Sequence, residues 1–389
     1  MAEKLQSLLA GLELADPVKM RLAEDLQRIL KSGTHIVNGR LCVTGYSYGA
    51  LYDWDLYFEC LALAHLGHVE FAKNGVLTFL DHQQSSGFIP RVLAAPWQKP
   101  GQHFKPFLAQ TAALYTNAAG DTEWLQADVL PRLDRYLTHW FSEHYHSKGD
   151  GLPVWNSADH SGMDNQDERA GALNSYVCQG VDLACYLVRE FEAMARLYHM
   201  TDNARAANKH AERADVLRYK ISTRFWCETD GFFYDRNVRT GGFIKTKCAS
   251  SFAVLWVGAA SLNQAKRLVD EHLLNPKEFW LKYPVASMSA LEPSYRQSPY
   301  DYEACCNWKG NVWIPTNYYI FRGLLRYGFN DAAAELAAKT LAMLMNNDTT
   351  REYYDAETGK GVGLDPFWGW SILGYFMQIE MQGRTFDQG

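Results

Sequence analysis

The sequence predicts an all-α fold of the (α/α)6-barrel class, six helical hairpins closed into a double ring with long loops on one rim. Three observations predict it. Most of the chain carries apolar residues at the 3.6-residue period of amphipathic helices. About twelve such stretches follow one another as hairpins, a pair roughly every 50–60 residues. The connections between them alternate between short and long.

The first helix opens at Asp16-Pro17, read as an N-cap followed by a first-turn proline, and stops near Gly33. The next two cover 52–67 (YDWDLYFECLALAHLG) and 69–84 (VEFAKNGVLTFLDHQQ). Stretches 104–120 and 122–141 follow, with Pro131 expected to kink the second or to mark an early boundary. Long amphipathic runs extend from about Ser175 to Met200 and from Asp202 to Phe225, with shorter ones over 249–259 and 262–274. The last three are 311–328, 331–345 and 366–381. Only short segments read as strands. The best is GFFYD (231–235), expected as a hairpin beside Gly241-Gly242.

Such hairpins cannot bury their apolar faces alone and must stack, either in a closed ring or in an open solenoid. The loops decide for closure. Short connections fall at Gly67, Gly120, Thr201, Ala260 and Gly328-Phe329-Asn330. The long ones, 33–52, 85–103, 142–174, 226–247, 275–310 and 346–365, are rich in Trp, Gly, Pro and acids. That alternation puts every elaborate loop at one end of the ring, where chemistry usually resides. No linker or low-complexity segment interrupts the chain, so 1–389 reads as one domain.

Composition narrows the function. A net charge of -6 without a basic stripe argues against a nucleic-acid partner. No run approaches the ~20 apolar residues of a membrane span. The N-terminus, MAEKLQSLLAGLELADPVKMRLAEDL, lacks the apolar core of a signal peptide. The eight cysteines (42, 60, 178, 185, 227, 248, 305 and 306) show no zinc-like spacing and read as reduced, buried thiols of a cytoplasmic protein. Many of the 12 Trp, 22 Tyr and 19 Phe sit beside Gly, Pro and Asp in loop-like segments, where flat aromatic faces suit sugar rings, although any one of them is equally read as a large core residue.

Three long loops carry the candidate chemistry: PVWNSADHSGMDNQDER (153–169), SPYDYEACCNWKGNVW (298–313) and TTREYYDAETGKGVG (349–363). Asp164 follows Ser-Gly-Met, and Glu352 stands between Arg351 and Tyr353. Glycoside cleavage needs one protonated carboxyl for the leaving oxygen and one ionised carboxylate for water or direct attack. From pattern alone Asp164 is equally a loop cap and Glu352 a surface partner of Arg351. Asp53, Asp55, Asp159, Asp167, Asp301, Glu303 and Asp365 compete with them. Asp55, beside Trp54 at a helix start, suits a sugar-hydroxyl clamp better than a metal site. DNQDE (164–168) lacks the glycine and spacing of an EF-hand. No GxSxG, P-loop, dinucleotide or HExxH signature is present, and His144 and His146 read as solvated.

The three loops, in this order on a helical chain, resemble glycoside hydrolase family 63 and the related trehalases of family 37, over residues from about 45 to 380. SGMDN (161–165) looks like the general-acid motif, and REYYDAETGKGVG (351–363) is similar to the segment bearing the general base. The resemblance implies that Asp164 protonates the leaving group, that Glu352 activates water, and that hydrolysis inverts the anomeric centre. Inversion implies carboxyls ~6.5–9.5 Å apart. YDWDLYF (52–58), GFIPRV (87–92), NWKGNVWIPTNYYIFRGL (307–324) and FWGWSIL (367–373) resemble sugar-pocket segments. The implied substrate-binding residues are Tyr52, Trp54, Asp55, Arg91, Trp308, Lys309, Gly310, Trp313, Tyr353 and Trp370. KYPVASMSALEPSY (282–295) looks like the loop leading into the tryptophan-rich stretch.

The chain departs from the family at Lys309, commonly Arg, and at Met163, which directly precedes Asp164. It also lacks the β-rich domain of longer relatives. The expected substrate is therefore a small α-glucoside or α-mannoside, such as glucosyl- or mannosylglycerate or a disaccharide. Arg91, Arg189 and Lys309 are candidates to meet an acidic leaving group. No cofactor or metal is expected, and a homo-oligomer is left open. The alternatives are a sugar epimerase or isomerase working through histidines that face each other across the pocket, and a non-enzymatic helical scaffold.

Overall fold

The computed structural model describes residues 11, 13–45, 49–97, 99–126, 128–146, 148–297, 306–363 and 369–383. Twelve principal helices appear among them, where the periodicity predicts them. They are α1 (Asp16–Ser32), α2 (Asp53–His65), α3 (Glu70–Leu80), α4 (Leu108–Ala119), α5 (Val129–His139), α6 (Val181–Met200) and α7 (Ala204–Lys220). Next come α8, a tight turn Ala249–Phe252 running into Ala253–Trp256, and α9, Leu262–Arg267 continued by the wide turn Leu268–Leu273. The last are α10 (Ile314–Arg326), α11 (Asn330–Met345) and α12, Gly369–Ile372 continued by Leu373–Glu380.

The even-numbered helices form the inner ring. α2 touches α4, α4 touches α6, and so on through α8, α10 and α12, which returns to α2. Burial separates the two rings. All thirteen residues of α2 are buried, whereas α7 buries only Ala207, His210, Ala214 and Leu217. A helix apolar all round belongs inside, and one with a single stripe belongs outside. The long connections all lead into the N-termini of inner helices, so the elaborate loops share one end.

Local differences have physical reasons. Asp16 does not cap α1: the N-cap is Ala15, in extended conformation, and Asp16 lies in the first turn. There its charge complements the helix dipole. Pro131 sits in the first turn of α5, where its missing N–H costs nothing, and a separate turn, Glu123–Gln126, precedes it. The GFFYD strand is split: Phe232–Phe233 pair back to Trp226–Cys227, and only Asp235 joins the hairpin at Gly241-Gly242, where Asp235–Asn237 pair with Phe243–Ile244 and, on the other edge, with Cys178–Gln179. A further hairpin, Thr34–Val37 with Arg40–Val43, occupies a segment read from sequence as loop. Among the described residues no helix is long and apolar enough to cross a membrane.

Candidate active site

The first turn of α2 supplies Asp53, Trp54 and Asp55. Asp53 is fully buried and accepts hydrogen bonds from the Lys105 amide (3.0 Å) and Lys105 Nζ (2.9 Å). Lys105 is buried as well, and its ammonium lies 4.9 Å from the Trp54 ring centroid. Burial, then the charge of Arg91, lowers the Lys105 pKa to about 8 despite Asp53. Burial, with Asp53 beside it, pushes the Asp55 carboxyl up to about 7 against the pull of Lys105 and Arg91.

The loop before α6 presents Asp164. Ser157 caps a short helix, Ala158–Ser161, by accepting from the His160 amide. Gly162 ends that helix at φ +88°, and a Cβ there would lie 2.7 Å from Trp54 Cζ2 and 3.0 Å from Lys105 Cε. Met163 is buried, and the next residue turns its carboxyl toward Arg91, with Oδ1 3.9 Å from Nη2. That oxygen is buried without a hydrogen-bond partner among the described residues. The side chain as a whole keeps 31% of its surface open. Burial raises the Asp164 pKa to about 6, Arg91 opposes it and Asp159 adds to it. Arg91 is itself clamped by Gln102 (2.9 Å), Asp159 (3.4 Å) and Asp53 (3.9 Å) and lies over the Tyr52 ring. The far end of the loop is pinned by Arg169, which pairs with Asp182 (2.6 Å) and Asp235 (2.5 Å) and donates to Met163 Sδ.

Aromatic rings from the tryptophan loop, the Glu352 loop and the starts of α2 and α12 form a wall beside the Asp164 loop. Trp308 and Trp313 stack 3.8 Å apart at 6°, and Tyr353 stacks on Trp313 at 4.5 Å. Trp54 joins Trp308 at 5.6 Å, and Trp370 stands edge-on to Trp54 and Trp313. Glu352 sits in this wall, 3% exposed. Its carbonyl accepts from Trp370 Nε1 (3.0 Å), and its Oε1 accepts from the Cys306 thiol (3.3 Å). Paired hydrogen bonds between Val312 and Tyr354 tie the tryptophan loop to the Glu352 loop.

The structure thus brings together Tyr52, Trp54, Asp55, Arg91, Asp164, Trp308, Trp313, Glu352, Tyr353 and Trp370. Two further expected sugar ligands, Lys309 and Gly310, make contacts within the rim. Lys309 pairs its ammonium with Glu168 (2.9 Å), bridging two rim loops. Gly310 spends its amide on Ser287 Oγ (3.0 Å) and its carbonyl on Gln297 (2.9 Å). It has no room for a Cβ, which would meet the Arg296 carbonyl at 2.6 Å. Arg189 lies within α6 against Trp256 (4.5 Å), beyond the loop end. Asp159 is held by Lys99, Gln102 and Arg91, which keep its carboxyl far below the usual range despite burial. Asp301, Glu303 and Asp365 lie outside the described residues. Among the described residues no group of three or more His, Cys, Asp or Glu is arranged to hold a metal.

Sequence reasoning missed Lys105, Arg169 with its two aspartates, and Cys306. None carries a signal in spacing: each acts through a partner at least 46 positions away, as Cys306 does with Glu352, except that Arg169 meets Asp182 after thirteen.

The sequence matches the family described as "Mannosylglycerate hydrolase MGH1-like glycoside hydrolase domain" over residues 48–371. A mannosylglycerate hydrolase of Thermus thermophilus is 32% identical over 149 residues, 38% of this chain and 32% of that protein. A cytosolic neutral trehalase of Kluyveromyces lactis is 24% identical over 82% of this chain and 51% of its own length. The chain therefore spans about half or less of these two relatives. Among solved structures, a family 63 mannosylglycerate hydrolase of Thermus thermophilus in complex with Tris superposes with a TM-score of 0.72, at 20% identity. That match covers 95% of this chain and all of the other. It shows the shared fold.

Proposed function

The chain belongs to the mannosylglycerate hydrolase MGH1-like family of glycoside hydrolase domains, and from that premise we propose that it hydrolyses a small α-glycoside with inversion, Asp164 as general acid and Glu352 as general base. The observation that carries the reading is Asp164 itself, a carboxyl raised to about 6, with an unpartnered oxygen, beside a wall of five aromatic rings. A carboxyl in that range is protonated in mildly acidic solution, keeps about a tenth of its population protonated at pH 7, and gives its proton up readily.

In the proposed reaction the Asp164 proton passes to the glycosidic oxygen as the bond to the anomeric carbon breaks. Glu352 takes a proton from water, and the hydroxyl adds to the opposite face of that carbon. The aromatic rings hold the sugar by its C–H faces, and Asp55 and Arg91 face its hydroxyls. The chain acts as a single catalytic unit. Its free cysteines and the cytosolic trehalase relative support a cytoplasmic location. The mannosylglycerate hydrolase relative points to an α-glycoside of glycerate as substrate, and the trehalase relative to trehalose.

The epimerase alternative draws no support from the histidines around Asp164. His160 donates Nε2–H to the His103 carbonyl (2.7 Å), and His103 donates Nε2–H to the Tyr136 carbonyl (3.1 Å) while its Nδ1 accepts the Ile89 amide (3.1 Å). Burial lowers the pKa of both rings. The test is a panel of α-mannosylglycerate, α-glucosylglycerate and trehalose followed by anomeric proton NMR. We expect hydrolysis of at least one with initial release of the β-anomer, and loss of turnover by roughly a thousandfold or more in D164A and in E352A. Retention of configuration, or near-normal rates in both variants, overturns the assignment.

A further inference from the structure

Glu352 has a neighbour that the proposed chemistry does not use. The Cys306 thiol donates to Glu352 Oε1 at 3.3 Å, and both ends of this contact are fixed. On the thiol side, Asn307 is fully buried, donates to the Arg296 carbonyl (2.8 Å) and to Asn311 Oδ1 (2.5 Å), and accepts Trp313 Nε1 on its own carbonyl (2.9 Å). Asn307, the neighbour of Cys306, is therefore held in place at the edge of the tryptophan wall. On the carboxylate side, the Glu352 carbonyl is held by Trp370, and Oε2 lies where a Cβ on Gly363 would be 2.4 Å away. The six other described cysteines are buried, whereas Cys306 is partly open.

We propose that Cys306 is a positioning residue for the base: its thiol steadies the charged form of Glu352 and fixes the direction in which the carboxylate faces water. A donor to the charged form of a carboxylate favours that form. An S–H is a weak donor, so the thiol tunes the base rather than creating it. The inference rests on the reading of Glu352 as the base.

The test compares wild type with C306A and C306S on whichever panel glycoside is hydrolysed. C306A removes the donor, and C306S restores one of similar shape. In C306A the acidic limb of the kcat profile moves to higher pH. On that limb kcat falls about fivefold, the factor equivalent to a net hydrogen bond of about 1 kcal/mol. KM stays close to wild type, and C306S returns the limb to its place. A C306A limb that superimposes on wild type, or a C306S limb displaced as far as that of C306A, overturns the proposal. C306V, which lacks the donor but fills the space, repeats the test where C306A does not fold.

A second measurement is independent of substrate. The Glu352 carboxyl carbon, assigned by its loss in E352Q, is titrated by 13C NMR in wild type and C306A. An unmoved titration sinks the inference whatever the substrate. A moved titration together with a fully active E352Q sinks the base assignment and leaves the thiol–carboxylate coupling standing.

Discussion

Asp159 and Asp164 stand on one loop, and their carboxyls are driven in opposite directions. Asp159 meets Lys99 at 2.8 Å, Gln102 at 2.6 Å and Arg91 at 3.4 Å, so its charge is compensated. Asp164 meets only the edge of Arg91, at 3.9 Å, and burial outweighs that attraction. The Asp159 charge disfavours ionisation of Asp164, so removing it lowers the Asp164 pKa from about 6. A lower pKa leaves less protonated acid at any given pH. We therefore expect D159N to move the alkaline limb of kcat/KM to lower pH, measured across pH 4–9; a limb that stays or moves upward contradicts the role of acid for Asp164. Of these two residues, the resemblance of SGMDN singled out Asp164, but nothing in the sequence separated their environments. The compensation of Asp159 depends on Lys99 and Gln102, from a loop 57–60 positions away. The pairing of Lys309 with Glu168 and the packing of Gly310 against Arg296 were illegible for a related reason: standing beside Trp308 does not say which way a neighbour points.

At the scale of elements, the loops reached from the inner ring are shorter in helix than their apolar pattern suggests. Periodicity starts helices at 104, 175 and 311, and they begin at Leu108, Val181 and Ile314. The lost turns are used for docking: Cys178–Gln179 pair with Arg236 and Asn237, and Val312 with Tyr354. A 3.6-residue pattern cannot register such pairings, because the partners are distant in the chain. The missed hairpin at 34–43 was legible, since Asn38-Gly39 adopt positive φ of 49° and 75° as an Asn-Gly turn prefers. The loop bearing the acid depends on one glycine in the same way. Alanine at Gly162 would hold φ near +88° and drive its Cβ into Trp54. We expect G162A to lose about 1–3 kcal/mol of stability from the backbone alone. Turnover should fall as well, with both Trp54 and Asp164 displaced. Wild-type activity and melting temperature in G162A would show that the turn is not what sets the acid.

At the scale of the molecule, ring closure was readable because alternating connection lengths are a property of the sequence, and only a ring or a solenoid answers to them. What closes the ring was not readable. α12 meets α2 where Gly369 donates to the Gly45 carbonyl (2.8 Å), and Glu59 of α2 fills the space beside both glycines. A Cβ on Gly45 or Gly369 would lie 1.4 or 2.7 Å from Glu59 Oε1. Glu59 is 1% exposed, and neither carboxyl oxygen has a hydrogen-bond partner among the described residues. Burial first, and then the charge of Asp55 one turn earlier, raises its pKa well above the ordinary value. The consequence for stability has a definite sign. Below about pH 4.5 the carboxyl is neutral in folded and unfolded chains alike and contributes no pH dependence. Above that, the unfolded chain gains by ionising while the folded chain retains its proton, so stability falls as pH rises toward the folded pKa. The slope from this one proton is at most about 1.4 kcal/mol per pH unit. Glutamine keeps the shape and cannot ionise. We therefore expect E59Q to gain stability relative to wild type progressively from pH 4.5 to 7.5, with the pH-independent part of the difference fixed at pH 4. Urea denaturation at four or five pH values measures this. A stability difference that stays flat with pH would mean that Glu59 is ionised in the folded ring and that its charge is met there.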